Sequence, residues 1–237
     1  MNSSMGTVIG IVGGGTGAGS SVLVAGCATR AQAAGLRVAA IDADPYGGGL
    51  DIVFGIETEP GIRWEHLAGA SGRLDGARLT ERLPATESGV VVLSHGRLWQ
   101  AVEPTILRTA ATALRECVDL LLVDVGRATA TDNVVQLCDG LVMVARGTAQ
   151  GLAAAGATAG HLTRPVDGLV LRDSGRMDST EIEEALGIPV VGRLPSDRHV
   201  QTDLDRGLPP GGGRGDFATA CDELVRDLLL DDAVVAA

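Results

Sequence analysis

The run TVIGIVGGGTGAGSSVLVAG, starting at Thr7, sets Gly13, Gly14, Gly15, Gly17 and Gly19 between an apolar β-branched segment and a helical pattern. Five glycines within seven residues exceed what a tight strand-to-helix turn requires. A glycine loop at that point lets backbone N–H groups approach an oxyanion at the positive end of a helix dipole, so phosphate binding is the chemistry this spacing points to. Two templates fit. Gly13-x-Gly15-x-x-Ala18 matches a dinucleotide fingerprint, with Asp42 as the acid for a ribose hydroxyl. Gly14-x-x-x-x-Gly19-Ser20-Ser21 matches a phosphate loop, with Ser20 where a lysine belongs and Ser21 in the position of a magnesium ligand. In that register the binding residues are Gly14, Gly15, Thr16, Gly17, Ala18, Gly19, Ser20 and Ser21.

The carboxylates downstream favour the second template. Asp42 and Asp44 in IDADP close one hydrophobic run, and Asp124 in LLLVDVG closes another, the context of an acid that holds magnesium beside phosphates. A lone Asp at a strand end is usually a turn residue or a cap. Three of them downstream of a glycine loop make a site.

All nineteen basic residues are arginine, and there is no lysine in the chain. That excludes a Schiff-base enzyme, a phosphate loop with its own lysine and a Tyr-x-x-x-Lys dehydrogenase. A hydride-transfer enzyme has little else to draw on, because Tyr46 is the only tyrosine and His66, His95, His161 and His199 fall in no catalytic motif. The net charge of −11 argues against binding nucleic acid or an anionic membrane. Cys27, Cys117, Cys138 and Cys221 are too scattered for a zinc site or a disulfide framework and read as free thiols of a reducing cytosol. No basic leader and no apolar stretch of ~18 residues is present, so a cytoplasmic protein is expected.

The elements that must position these residues follow from alternating periodicities. Strands are expected at Thr7–Val12, Arg37–Ile41, Val90–Ser94, Leu120–Asp124, Gly140–Ala145, Gly168–Leu171 and Pro189–Arg193. Helices are expected at Ser20–Ala34, Pro104–Glu116, Thr148–Leu162, Ser179–Leu186, Arg198–Arg206 and Phe217–Leu230. The fold class is α/β, doubly wound, with a mainly parallel sheet and helices on both faces. One domain is expected over residues 1–237, with a tail from Asp231 that frays. Tyr46–Glu87 breaks the rhythm and reads as an elaborated connection over one end of the sheet, and Pro209–Gly215 reads as a flexible loop.

Together GGGTGAGSS, IDADPYGGGLD and LLLVDVG resemble the ParA/MinD superfamily of deviant P-loop ATPases. Within it, DADPYGGGLDIVFGIETEPGIRWEHLAGASGRLDG followed by VVVLSHGR is similar to the actinobacterial CpaE/TadZ-like branch, some of whose members are labelled septum-site-determining. The resemblance spans Val8 to about Leu230. It implies a P-loop fold that binds ATP or ADP with Mg2+, in which Asp44 positions the attacking water and Ser21, Asp42 and Asp124 lie near the metal. It also implies a spatial regulator that localises Flp-type pilus assembly, or alternatively a MinD-type division regulator, through protein partners at a pole or septum. The two lysines of the superfamily motif fall on Gly15 and Ser20. Weak or absent hydrolysis is therefore expected, together with a homodimer that does not depend on ATP, because the residue that reaches across the dimer is missing. A working ATPase in which Arg127 or Arg146 replaces the lysine is the alternative. The C-terminal stretch ACDELVRDLLLDDAVVAA is acidic, so direct membrane insertion is not expected. The receiver-like domain that opens many CpaE/TadZ proteins is missing from this sequence.

Overall fold

Seven short runs rich in Val, Ile and Leu form strands: β1 Thr7–Gly13, β2 Val38–Asp42, β3 Val91–Leu93, β4 Leu120–Gly126, β5 Gly140–Arg146, β6 Gly168–Arg172 and β7 Val190–Leu194. The computed structural model describes residues 5–97, 102–126, 132–173 and 177–230. The strands pair in the order β3-β2-β4-β1-β5-β6-β7, and every ladder is parallel. Among the described residues the only antiparallel pairing is an isolated bridge between Ala85 and Val91. A dinucleotide-binding sheet of the Rossmann type would set the first strand directly beside the second. Here β4 lies between β1 and β2, which removes the topological basis for the oxidoreductase template.

The helices are α1 Ser20–Ala33, α2 Leu50–Val53, α3 Trp64–Leu67, α4 Gly76–Arg82, α5 Pro104–Arg115, α6 Asp132–Val135, α7 Ala149–Ala159, α8 Ser179–Leu186, α9 Arg198–Asp205 and α10 Asp216–Leu230. They cover both faces of the sheet, so β1 is apolar on both: Val8 and Val12 join one core, Ile9 and Ile11 the other. On the second side α1 packs against α10 through Gly26. A methyl group there would come 2.6 Å from the Phe217 ring and 2.9 Å from Cys221 Sγ. The apolar face of α10, with Phe217, Cys221 and Leu224, is thus buried, and its Asp222 pairs with Arg30 at 2.7 Å. Among the described residues no helix is long and apolar enough to cross a membrane.

Each expected strand and long helix is present, with ends shifted by a residue or two, except that α7 stops at Ala159 rather than Leu162. The connection after β2 is more than a loop. It folds into α2, α3 and α4 and buries Phe54, Ile56, Ile62, Trp64, Leu67, Leu79 and Leu83, while the Trp64 Nε1–H donates to the Asp42 carbonyl at 2.7 Å. Helices of one turn are not stable by propensity, so tertiary burial holds these in place. Pro209–Gly215 is a loop, as expected, with Gly212, Gly213 and Arg214 exposed and its middle held against α1. Pro210 and Gly211 are buried, and Gly211 accepts a hydrogen bond from Arg30 at 3.5 Å, because the loop must follow α1 closely before α10 begins. The four cysteines are free thiols, three of them buried and Cys117 half-buried. The tail from Asp231 lies outside the described residues.

Candidate phosphate-binding site

β1 delivers the glycine loop to the carboxyl edge of the sheet, beside β4 and β5, where the chain's direction of winding changes and α/β proteins bind ligands. The loop is fixed at both ends. Gly14 N–H donates to the Val144 carbonyl at 2.8 Å, tying it to β5, and Ala18 N–H closes a turn onto the Gly15 carbonyl at 3.2 Å. Gly17 and Gly19 have φ of 67° and 101°, left-handed values that suit glycine. Gly19 is the N-cap of α1, and no side chain caps that helix, so its first amides are left for another acceptor.

The loop is pressed against α7. A methyl at Gly14 would come 2.9 Å from Ala155 Cβ, and one at Gly15 would come 3.2 Å from Ala154 Cβ. Small residues on both sides therefore let the loop and helix approach closely. Ser20 Oγ lies 3.7 Å from where a Gly13 Cβ would stand.

The three aspartates gather at this edge. Asp42 pairs in register with Asp124, which is itself level with Ile11 of β1. Ser21, in the first turn of α1, is near enough to Asp124 for its hydroxyl to oppose the rise in that carboxyl's pKa. Gly126 N–H also donates to Asp124, at 3.3 Å. Burial pushes Asp124 up to about 7, against the lowering effect of Ser21, and the charges of Asp42 and Asp44 push in the same direction as burial. Asp42 is pushed up to about 6, again chiefly by burial.

The Asp42 carboxylate is already occupied. It accepts hydrogen bonds from Asp44 N–H at 3.1 Å, Leu50 N–H at 2.8 Å and the Ser94 hydroxyl at 2.9 Å. It organises the turn after β2 and is not directed at a ribose. Asp44 is half-buried and accepts from Tyr46 N–H at 2.9 Å, and its side chain lies over Gly126, where any Cβ would overlap it. All the residues singled out from the sequence, Gly14 to Ser21 with Asp42, Asp44 and Asp124, therefore lie around one edge of the sheet.

No family model matches the chain. An uncharacterized protein of Mycobacterium tuberculosis is 30% identical over 208 residues, and that match covers 85% of this chain. The chain spans 58% of the length of that relative. An uncharacterized ATP-binding protein of Methanocaldococcus jannaschii is 24% identical over 217 residues, covering 86% of this chain and 80% of the relative. Among solved structures, a ParA family ATPase from Chlorobium tepidum superposes with a TM-score of 0.78 at 22% identity, covering 92% of this chain and 98% of that one. The septum site-determining protein MinD of Pyrococcus horikoshii, complexed with Mg-ADP, gives 0.78 at 19% identity, covering 94% and 96%. The chain has the ParA/MinD fold.

In this ParA/MinD fold two arginines flank the glycine loop. Arg146, at the end of β5, is exposed and borders a cleft of about 310 Å³ with Gly14, Gly15, Thr16 and Ala154. Arg172, at the end of β6, reaches the loop itself: its Nη1 donates to the Gly17 and Ala18 carbonyls at 3.3 and 3.2 Å. Arg127 lies outside the described residues. Neither Arg172 nor Ser94 stood out in the sequence. The available signal for Arg172 was an arginine closing a strand on the same edge as the loop, and for Ser94 it was a hydroxyl directly after β3.

Proposed function

We propose that this chain binds adenine nucleotide with Mg2+ on the Gly14–Ser21 loop, hydrolyses it very slowly or not at all, and acts by positioning protein partners. The observation that carries the reading is a glycine loop, anchored to β5, that opens an uncapped helix, with Ser21 in the first turn of that helix and Asp124 on β4, the strand beside β1. Hydroxyl and carboxylate oxygens suit magnesium, and these two residues would hold it. The metal, when bound, neutralises phosphate charge. The loop amides would orient the phosphates, and the Asp44 carboxylate would hold the attacking water. Support also comes from the name of the Methanocaldococcus relative, an ATP-binding protein, and from the MinD structure solved with Mg-ADP.

Ser20 supplies a hydrogen bond without a charge. Loss of a positioned cation on transferring phosphates costs on the order of 10³ in rate, which is why turnover is expected to be negligible. Calorimetric titration should give binding of ATP and ADP but not NADH, with no phosphate release above background. S20K should tighten nucleotide binding. Robust Mg2+-dependent turnover that vanishes in D44A would instead favour a working ATPase using an arginine.

The sequence motifs that resemble the CpaE/TadZ branch support a role in localising Flp-type pilus assembly, with septum placement of MinD type as the second reading. Glycine at position 15 offers no cation to the phosphates of a second copy, so any homodimer should be indifferent to nucleotide. Sedimentation with and without saturating Mg-ATP should give the same mass distribution, and an ATP-driven shift to dimer would overturn this part of the reading.

A further inference from the structure

We infer that Arg172 is the cation of this nucleotide site and that, because of where it stands, the site does not distinguish ATP from ADP. The inference rests on the nucleotide reading above and adds to it which residue supplies charge and which phosphates receive it.

Phosphate loops add the charge of a lysine to the loop amides and the bound Mg2+, and no lysine exists here to supply it. Of the two arginines flanking the loop, only Arg172 touches it. Its Nη1 bridges two loop carbonyls, and its Nε donates to Asp173 Oδ2 at 3.2 Å. Asp173 has φ of 51°, the only positive φ at a non-glycine among the described residues, and that turn brings its carboxylate back against the guanidinium. The second terminal nitrogen of Arg172 donates to nothing among the described residues. Glycine at position 19 keeps this arrangement open, because a Cβ there would lie 2.9 Å from Nη1.

Arg172 stands on the α1 side of the loop. It shares with Gly19 a cleft of about 250 Å³ whose walls include Val22, Leu194, Val200 and Phe217. In phosphate loops the amides cradle the α- and β-phosphates, and the loop lysine reaches the β- and γ-phosphates. A cation beside Gly19 serves the end of the tail nearest the base. With serine at position 20 and glycine at position 15, no cation within the loop is available to the γ-phosphate.

The test is calorimetric titration of Mg-ATP and Mg-ADP into the wild type, R172A, R172Q, R172K and R146A. The wild type should bind both nucleotides with Kd values within about threefold of each other. R172A and R172Q should weaken both by about tenfold or more, R172K should recover part of the loss, and R146A should change neither by more than about threefold. R172Q separates charge from structure, since glutamine can still donate to the loop carbonyls. Wild-type affinity in R172Q, or a wild type that prefers ATP by more than about tenfold, would overturn the inference while leaving nucleotide binding intact. A wild type that binds neither nucleotide would overturn the functional reading and this inference together.

Discussion

Replacing Asp51 with alanine should lower folding stability by about 3–5 kcal/mol. Asp51 is 1% exposed, yet it is bound by two guanidinium groups, Arg97 at 2.6 Å and Arg63 at 3.4 Å. Arg63 is itself buried, and its Nη2 donates to the Ile56 and Glu59 carbonyls at 3.2 and 3.3 Å. Removing the carboxylate would leave a buried positive charge without a counter-charge, a larger penalty than loss of an exposed ion pair. The Ser94 hydroxyl, which bonds Asp42 at 2.9 Å, also lies 3.4 Å from Asp51, so the damage would extend to the acid cluster. Urea unfolding of wild type and D51A gives the comparison. R97A should cost much less, because that side chain is 53% exposed. A D51A loss below about 1 kcal/mol would mean that water reaches Arg63 and the buried network does not anchor the segment.

The second large effect concerns Asp124. Its folded pKa of about 7 lies above the ordinary aspartate value of 3.8, so the native state holds a proton that the unfolded chain releases. Stability from this group is greatest at acid pH. It falls as pH rises from about 4 through about 7, where both states are ionised and the loss is complete. Asp42, at about 6, contributes in the same direction. Burial lowers the pKa of His95 and gives the opposite slope below its ordinary value of 6.5, so the informative quantity is the difference between wild type and D124N. Asparagine cannot ionise. D124N should be more stable than wild type at pH 8, by on the order of 3 kcal/mol, and the difference should shrink as pH falls toward 5. It should also lose any stabilisation that Mg2+ gives the wild type at pH 8, because the metal would take the place of that proton. A difference independent of pH, or D124N less stable at pH 8, would show that Asp124 is well solvated in the native state.

The elements legible in the sequence were those whose signals are local. The glycine loop, the strand-end aspartates and the long helices announce themselves by spacing or period, and Gly14–Ser21 lies where the pattern set it. The segment after β2 was opaque because α2 and α3 are single turns held by burial of residues such as Phe54 and Trp64, which no propensity records. The saturation of Asp42 was hidden for a similar reason: Ser94, one of its donors, is 52 residues away along the chain. Arg172 could not be told from other arginines by composition. Its meaning comes from the strand order that brings the end of β6 near the end of β1.

The seam between the glycine loop and α7 has a consequence for how any anion would be received. Gly14 and Gly15 meet Ala154 and Ala155 with nothing larger than a methyl group between them, and Gly14 is hydrogen-bonded to β5. The first two residues of the loop are therefore held between strand and helix, and under the proposed function that part of the cradle needs no rearrangement to receive an oxyanion. Recognition of this kind loses little conformational entropy at the moment of binding. The empty and filled cradles should then be nearly superimposable at Gly14 and Gly15.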